Sequence, residues 1–310
     1  MFEMIITITL NPALDKTATV DELCVGELNR LQSVREDAGG KGVNVSKAIA
    51  ALGGTSIAVG FAGGDGGEKL LNALETMKIA SDFIKTRSNI RTNLKIVDKL
   101  GRLTEFNEPG LCVTQQEANA LLEKVSNIIV SGAIVVMSGS LCRGVDCDFY
   151  ARLIRLIHNC GGYAYLDTSG EPFRAAIKEK PDFIKPNKHE LMEFFDICGD
   201  LSYNQMYELC KQMMSFGIPK MALSLGSGGA MFFDGEAILR AEGLKVTALS
   251  SVGAGDSMMG AIAFAMQKKM SWQDCARLAV ATSAGAVTTE GTNPPAGALV
   301  EELVGQVRFV

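Results

Sequence analysis

From Pro109 onward, apolar runs of strand length alternate with amphipathic runs of helix length, and that alternation narrows the possible folds more than any other feature. The periodicity predicts helices over 114–130, 146–159, 171–178, 187–195 and 203–215. Between them lie strand-like runs at 133–138, Tyr163–Asp167, Asp182–Lys185 and Lys220–Leu225. A hairpin is expected over Ala230–Phe233 and Ala237–Arg240, then a strand over 244–249, and helices over 256–269 and 272–289 close the chain. Upstream, Met4–Leu10 is nearly continuous in apolar and β-branched residues, as suits a strand buried on both faces, and Asn11-Pro12 ends it. A helix opening after Ala38 and stopped by Gly53-Gly54, a strand over Thr55–Phe61 and a helix over Gly67–Met77 continue the rhythm. Repeated strand–helix–strand units call for a parallel sheet with helices on both faces, and they place ligands at the carboxyl ends of its strands.

Two segments break the rhythm. Lys16–Val20 and Leu28–Val34 read as short mixed strands, and so do Arg91–Val97 and Arg102–Phe106, joined by a turn through Lys99-Leu100-Gly101. Together they predict one small sheet projecting from the main domain. The expected division is an α/β core of 1–14, 37–89 and 108–310, with a β-sheet lid of 15–36 and 90–107.

Composition excludes several classes. A net charge of −5 argues against a nucleic-acid partner while leaving room for a local basic pocket. The eight cysteines are scattered without a Cys-x-x-Cys, which suits reduced thiols in a cytoplasmic protein. Only His158 and His189 could join them at a metal, so a zinc site is not expected. The apolar N-terminus lacks a basic flank and reads as a first strand instead of a signal peptide. No apolar run approaches the ~18 residues of a membrane span.

The chemistry concentrates at Ser251-Val-Gly-Ala-Gly-Asp-Ser257, between the expected 244–249 strand and a helix whose apolar face carries Met258, Ala261, Ile262, Ala265 and Met266. Gly253, Ala254 and Gly255 would start that helix with free backbone N–H groups at its positive end, open to a bulky anion. Asp256 puts a carboxylate beside that anion hole. Such a charge repels a phosphate, and is useful if it accepts the proton of a hydroxyl attacking the phosphate. The plainer alternative is a glycine turn with Asp256 as helix cap. A Rossmann fingerprint would need its third glycine at Met258, and no P-loop Gly-x4-Gly-Lys-Ser/Thr occurs.

Five further clusters follow predicted strands, each with a plain turn or surface reading beside a functional one. They are Asp15; Gly39-Gly40-Lys41-Gly42 with Asn44; Ser138-Gly139-Ser140; Lys185-Pro-Asn187-x-x-Glu190; and Ser224-Leu225-Gly226-Ser227-Gly228-Gly229. Arg91 and Asn93 sit on a predicted lid strand.

Taken in order, Asn11-Pro-Ala-Leu-Asp15, Gly39-Gly-Lys-Gly-Val-Asn44, Arg91-Thr-Asn93, Gly139-Ser140, Lys185-Pro-Asn-x-x-Glu190, Ser224-Leu-Gly-x-Gly228 and Val252-Gly-Ala-Gly-Asp-Ser257 closely resemble the ribokinase-like PfkB carbohydrate kinases. The resemblance spans residues 4 to about 293 and points to the sugar-phosphate branch. It implies a three-layer α/β/α core with a mostly parallel sheet plus a β-sheet lid. It further implies Asp256 as base and the amides of Gly253, Ala254 and Gly255 as the charge-stabilising hole. Asp15, Gly39, Gly40, Lys41 and Asn44 would hold the sugar, and Arg91, Lys41 and the Ser140 region its phosphate. Asn93 belongs to the same acceptor site. Lys185 and the loop Ser224, Leu225, Gly226, Ser227, Gly228 and Gly229 would line ATP, with Asn187 and Glu190 positioning Mg²⁺ through water. One departure is Cys142-Arg143, where many relatives carry two prolines; Arg143 adds a candidate phosphate contact.

The lid segments Arg91-Thr-Asn-Leu-Lys95 and Thr104-Glu-Phe-Asn107 with Gly110 are most similar to the 1-phosphofructokinases. That similarity implies D-fructose 1-phosphate as acceptor at its 6-hydroxyl, with tagatose 6-phosphate, accepted at its 1-hydroxyl, as the alternative. A catalytically silent sugar-phosphate sensor on the same fold is disfavoured, because it gains nothing from Asp256. An oxidoreductase on a dinucleotide fold is a third reading and requires nicotinamide binding. A small sheet with one open face and free edges invites self-association, so a homodimer through the lid is expected, burying Val20, Leu31, Leu94 and Ile96.

Overall fold

The computed structural model describes residues 4–235 and 237–310. The first half of the chain forms β1 (Ile5–Thr9), β2 (Ala13–Val20), β3 (Ser33–Gly39), α1 (Lys41–Ala51), β4 (Ile57–Gly63), α2 (Gly64–Thr76), β5 (Ala80–Ser81), β6 (Ile84–Thr86), β7 (Arg91–Asp98) and β8 (Leu103–Asn107). Then come α3 (Gln115–Ile128), β9 (Ile134–Ser138), α4 (Phe149–Asn159), β10 (Tyr163–Asp167), α5 (Gly170–Ala176), β11 (Phe183–Ile184), α6 (Lys188–Phe194) and α7 (Tyr203–Met214). The last part holds β12 (Lys220–Ser224), β13 (Ala230–Asp234), β14 (Ala237–Ala241), α8 (Ala254–Gln267), α9 (Trp272–Ala286) and α10 (Gly297–Val304).

The large sheet runs β14-β13-β12-β11-β10-β9-β1-β4-β5, with β6 also on β4. It is parallel except for the β12–β13–β14 hairpins. Successive strand residues point to opposite faces, and the core divides accordingly. Ile6, Ile8, Val135, Met137, Leu166 and Leu223 pack with α2, α3, α4 and α7 on one side. Ile5, Ile134, Val136, Tyr165, Phe183 and Ala222 pack with α8, α9 and α10 on the other. This is the three-layer ribokinase-like arrangement expected.

A separate four-stranded sheet, β3-β2-β7-β8, is built from both interrupting segments. Its register puts Asp15, Asp37, Asn93 and Asn107 in one row, and Lys16, Glu36, Leu94 and Phe106 in the next row on the opposite face.

Three expectations need correction. The strand placed over Leu28–Val34 lies instead at Ser33–Gly39. The preceding loop is closed locally, the Asn29 side chain accepting from Cys24 N–H and donating to the carbonyls of Cys24 and Glu27. The strand over 244–249 does not form: β14 ends at Ala241, and the next donor, Glu242 N–H, bonds the Arg308 carbonyl of the C-terminal tail. With its edge taken by that tail, Leu244 and Val246 pack against the core without a ladder. The chain closes with α10, beyond the two helices expected to end it.

Helix starts differ in a way that matters for the site. Thr114, Asn187 and Ser202 cap α3, α6 and α7 with side chains and reciprocal bonds from the third residue. α1 and α8 start instead at Gly40 and Gly253, with φ of 108° and 80° and no side-chain cap. No side chain satisfies their first amides.

Candidate active site

A cleft of about 660 Å³ opens between the four-stranded sheet and the carboxyl ends of the large sheet, within the size range of small-molecule sites. Its walls come from segments scattered along the chain, because each core strand ends at the same rim.

At one end, Asp15 on β2 is buried with both oxygens engaged. Oδ1 accepts from Asn93 Nδ2 at 2.9 Å, and Oδ2 lies 3.3 Å from Lys95 Nζ. A Cβ on residue 39 would sit 2.6 Å from Asp15 Oδ2, so only glycine lets β3 pass there. Arg91 enters from the same sheet. Its Nη1 donates to the Glu108 carbonyl at 3.4 Å, while its buried Nε has no partner among the described residues. Arg91 lines the cleft, so its guanidinium is placed to meet an anion there.

At the centre, Asp167 ends β10 fully buried between two lysines, with Oδ1 3.2 Å from Lys41 Nζ and Oδ2 3.1 Å from Lys185 Nζ. Burial pushes this carboxyl up, but the two ammoniums outweigh it and hold it below the usual aspartate range. Asp167 in turn raises the Lys41 ammonium against its own burial, with Asp256 and Glu190 adding to it. The Lys185 ammonium lies 3.3 Å from the space a side chain at Gly255 would fill. Two positive groups therefore flank the open start of α8.

Asp256 does not cap that helix. The N-cap is Gly253, and Asp256, in the first turn, turns its carboxylate to accept from Asn44 Nδ2 at 2.8 Å. Burial pushes its pKa up, and Asp167 adds to that, while Lys41, the Asn44 bond and Lys185 pull the other way. The net shift is upward, toward a better proton acceptor.

On the far side, Asn187 and Glu190 both face the cleft and also cap α6. Asn187 Oδ1 accepts from Glu190 N–H and Glu190 Oε2 from Asn187 N–H, each at 2.9 Å. The other Glu190 oxygen makes no hydrogen bond among the described residues. Ser224, Gly226, Ser227 and Gly229 line the cleft, whereas Leu225 turns into the core, and Gly228 also stands off the wall. Leu244, Val246, Ala248, Val280, Ala284 and Val287 make an apolar end wall.

Of the residues singled out from the sequence, the cleft brings together Asp15, Gly40, Lys41, Asn44, Arg91, Asn93, Lys185, Asn187, Glu190, Ser224, Gly226, Ser227, Gly229, Gly253, Ala254, Gly255 and Asp256. Gly39 stands behind Asp15. Ser140 accepts from Asn11 Nδ2 at 3.4 Å, and Arg143 donates to the Gly110 carbonyl at 3.0 Å, both off the cleft wall. Sequence reasoning missed Asp167, Lys95, Glu105, Asn107 and the apolar end wall. Asp167 had a signal, a carboxylate at the end of a parallel strand, and Lys95, Glu105 and Asn107 lay in the lid segments quoted for the resemblance without a role of their own; the end wall had none.

A family model described as pfkB family carbohydrate kinase matches residues 8–298. A 1-phosphofructokinase of Borreliella burgdorferi is 33% identical over 306 residues, covering 98% of both chains. One from Xanthomonas campestris is 35% identical over 311 residues, covering 95% of this chain and 97% of that one. Among solved structures, phosphofructokinase-2 from Escherichia coli in complex with substrates and products superposes with a TM-score of 0.94 at 29% identity, covering 98% of this chain and 99% of that one.

Proposed function

Because the chain belongs to the pfkB family of carbohydrate kinases, we propose that it transfers the terminal phosphoryl group of ATP to the 6-hydroxyl of D-fructose 1-phosphate, giving fructose 1,6-bisphosphate. The substrate rests on the relatives named 1-phosphofructokinase. The chemistry rests on one observation: Asp256 is buried, is not a cap, and stands beside an uncapped glycine helix start flanked by Lys41 and Lys185.

Asp256 takes the proton of the attacking hydroxyl. The amides of Gly253, Ala254 and Gly255, with Lys185, stabilise charge on the transferring group, which is most of what phosphoryl transfer requires of a protein. Asp15, held by Asn93 and Lys95, orients the sugar hydroxyls, and Arg91 and Lys41 bind the phosphate already on the sugar. The 224–229 loop and the apolar end wall hold the nucleotide. Mg²⁺, when bound on the nucleotide, neutralises phosphate charge. The donor set here fits that ion through water, since Asn187 Oδ1 and Glu190 Oε2 serve the helix cap and one Glu190 oxygen remains. Among the described residues no cluster of three or more His, Cys, Asp or Glu could hold a metal directly, which agrees with an ion carried by its nucleotide.

A coupled assay with ATP and Mg²⁺ on fructose 1-phosphate, tagatose 6-phosphate and fructose 6-phosphate in parallel tests the assignment. The highest kcat/KM is expected for fructose 1-phosphate, and a higher value for either other sugar overturns it. No described helix is long and apolar enough to cross a membrane. The free cysteines suit a reducing compartment, and we place the enzyme in the cytoplasm. We also propose a homodimer through the small sheet, whose outer face carries Val34 and Phe106, 55% and 54% exposed.

A further inference from the structure

Lys47 lies in α1 one turn beyond Asn44, and only 3% of it is exposed. Its ammonium is not on the cleft wall. It donates to the Ala38 carbonyl at 2.6 Å, to Thr292 Oγ1 at 3.1 Å, to the Thr292 carbonyl at 3.4 Å and to Asn44 Oδ1 at 3.3 Å. An ammonium only donates, so Asn44 must face it with its oxygen. The other end of that amide is then fixed: Asn44 Nδ2 points to Asp256 and donates to Oδ2 at 2.8 Å.

We propose that Lys47 is a positioning residue for the base: by holding Asn44 Oδ1 it sets the amide so that Nδ2 grips one oxygen of Asp256 and leaves the other for the acceptor's proton. The inference rests on Asp256 being the base. With Lys47 gone, Asn44 Oδ1 loses its donor, and the amide can swing so that its grip on Asp256 Oδ2 loosens. Lys47 also fastens Thr292, whose Cα lies 3.6 Å from the space a side chain at Gly253 would occupy. The start of α8 and the orientation of its carboxylate thus share one anchor.

The surroundings set the sign of the pH effect. Burial pushes the Lys47 ammonium down to about 8, while Asp37 of β3, Asp15 of β2 and Asp256 of α8 hold it up and Lys95 of β7 opposes them. Asp256 itself faces Lys41 of α1, Asp167 of β10 and Lys185. Losing the Asn44 bond removes a group that lowers the Asp256 pKa, so the acid limb of the rate profile moves to higher pH.

The test compares Lys47→Met and Lys47→Arg with the parent, using MgATP and fructose 1-phosphate. For a base displaced by an ångström, kcat is expected to fall about 10²-fold, with the acid limb displaced upward and both Michaelis constants nearly unchanged. Arginine, also an obligate donor, restores kcat and the limb. If Lys47→Met lowers only the melting temperature, with kcat and limb at parental values, Lys47 is a structural clamp and the proposal is wrong. If methionine prevents folding, Lys47→Gln gives the same reading, because its amide fills the space yet presents either end to Asn44. A fall in kcat with a raised limb supports the proposal, and parental values overturn it. Asp256→Asn measured alongside separates the two layers: an inactive asparagine variant with an unaffected Lys47→Met leaves the base in place and removes only this inference.

Discussion

Asp256 is readable from the sequence as either a cap or a base; the helix is capped at Gly253 instead, and the Asp256 carboxylate accepts from Asn44, 212 positions away. Two predictions belong at this scale. Asp256→Asn should lose roughly 10²–10⁴-fold in turnover, about 3–5 kcal/mol of barrier. Its melting temperature should hold or rise. The folded-state pKa is raised by burial, so the group favours folding while protonated and that benefit is lost as pH climbs through the raised value. At neutral pH the neutral amide removes that cost. The parent's kcat should accordingly fall on the acid side at a pH above the ordinary aspartate value of about 3.9. Turnover within about tenfold of the parent, short of a general base's usual worth, would show that Asp256 is not the base. Arg91→Ala removes the guanidinium whose buried Nε has no partner among the described residues. It should raise the Michaelis constant for the sugar phosphate far more than that for ATP; equal rises would unseat Arg91 from the acceptor site.

The proposed catalytic geometry rests on two helices, α1 carrying Lys41, Asn44 and Lys47, and α8 carrying Asp256. They cross closely at Gly260, where an added Cβ would lie 2.8 Å from Ala48 Cβ and 2.9 Å from the Val45 carbonyl. Gly260→Ala must therefore push the helices apart. Overpacking costs about 1–3 kcal/mol, against the ~1 kcal/mol alanine gains over glycine in a helix. A lower melting temperature together with a lower kcat is expected. A more stable variant with parental kcat would mean that the contact relaxes without moving Asn44 from Asp256. Helix and strand positions in the core were largely legible because their periodicity reflects which face is buried. The 244–249 segment was misread because β-branched and apolar residues also suit an extended segment packed without a ladder, and only the C-terminal tail at Arg308 shows why no partner strand is there.

At the scale of the whole molecule, the outer face of the small sheet carries the proposed assembly. The sequence proposed Val20, Leu31, Leu94 and Ile96. The chain itself already buries Val20 and Ile96, and Leu31 lies in the loop before β3, 49% exposed. Val34, opposite Ala18, and Phe106, opposite Leu94, remain exposed on that face. Light scattering is expected to give a dimer, and Val34→Asp with Phe106→Asp to give monomers. A parent that is monomeric at micromolar concentration and fully active would overturn the assembly. By itself the sequence determined the layered α/β architecture and the cleft rim, because burial periodicity and glycine-rich helix starts are local patterns. Only the tertiary structure decided which groups meet. The ties of Asp167 to Lys41 and Lys185, of Lys95 to Asp15, and of Lys47 through Asn44 to Asp256 join elements far apart in sequence. A buried charge leaves no periodic trace, since its position depends on the partner that neutralises it and not on its neighbours in the chain.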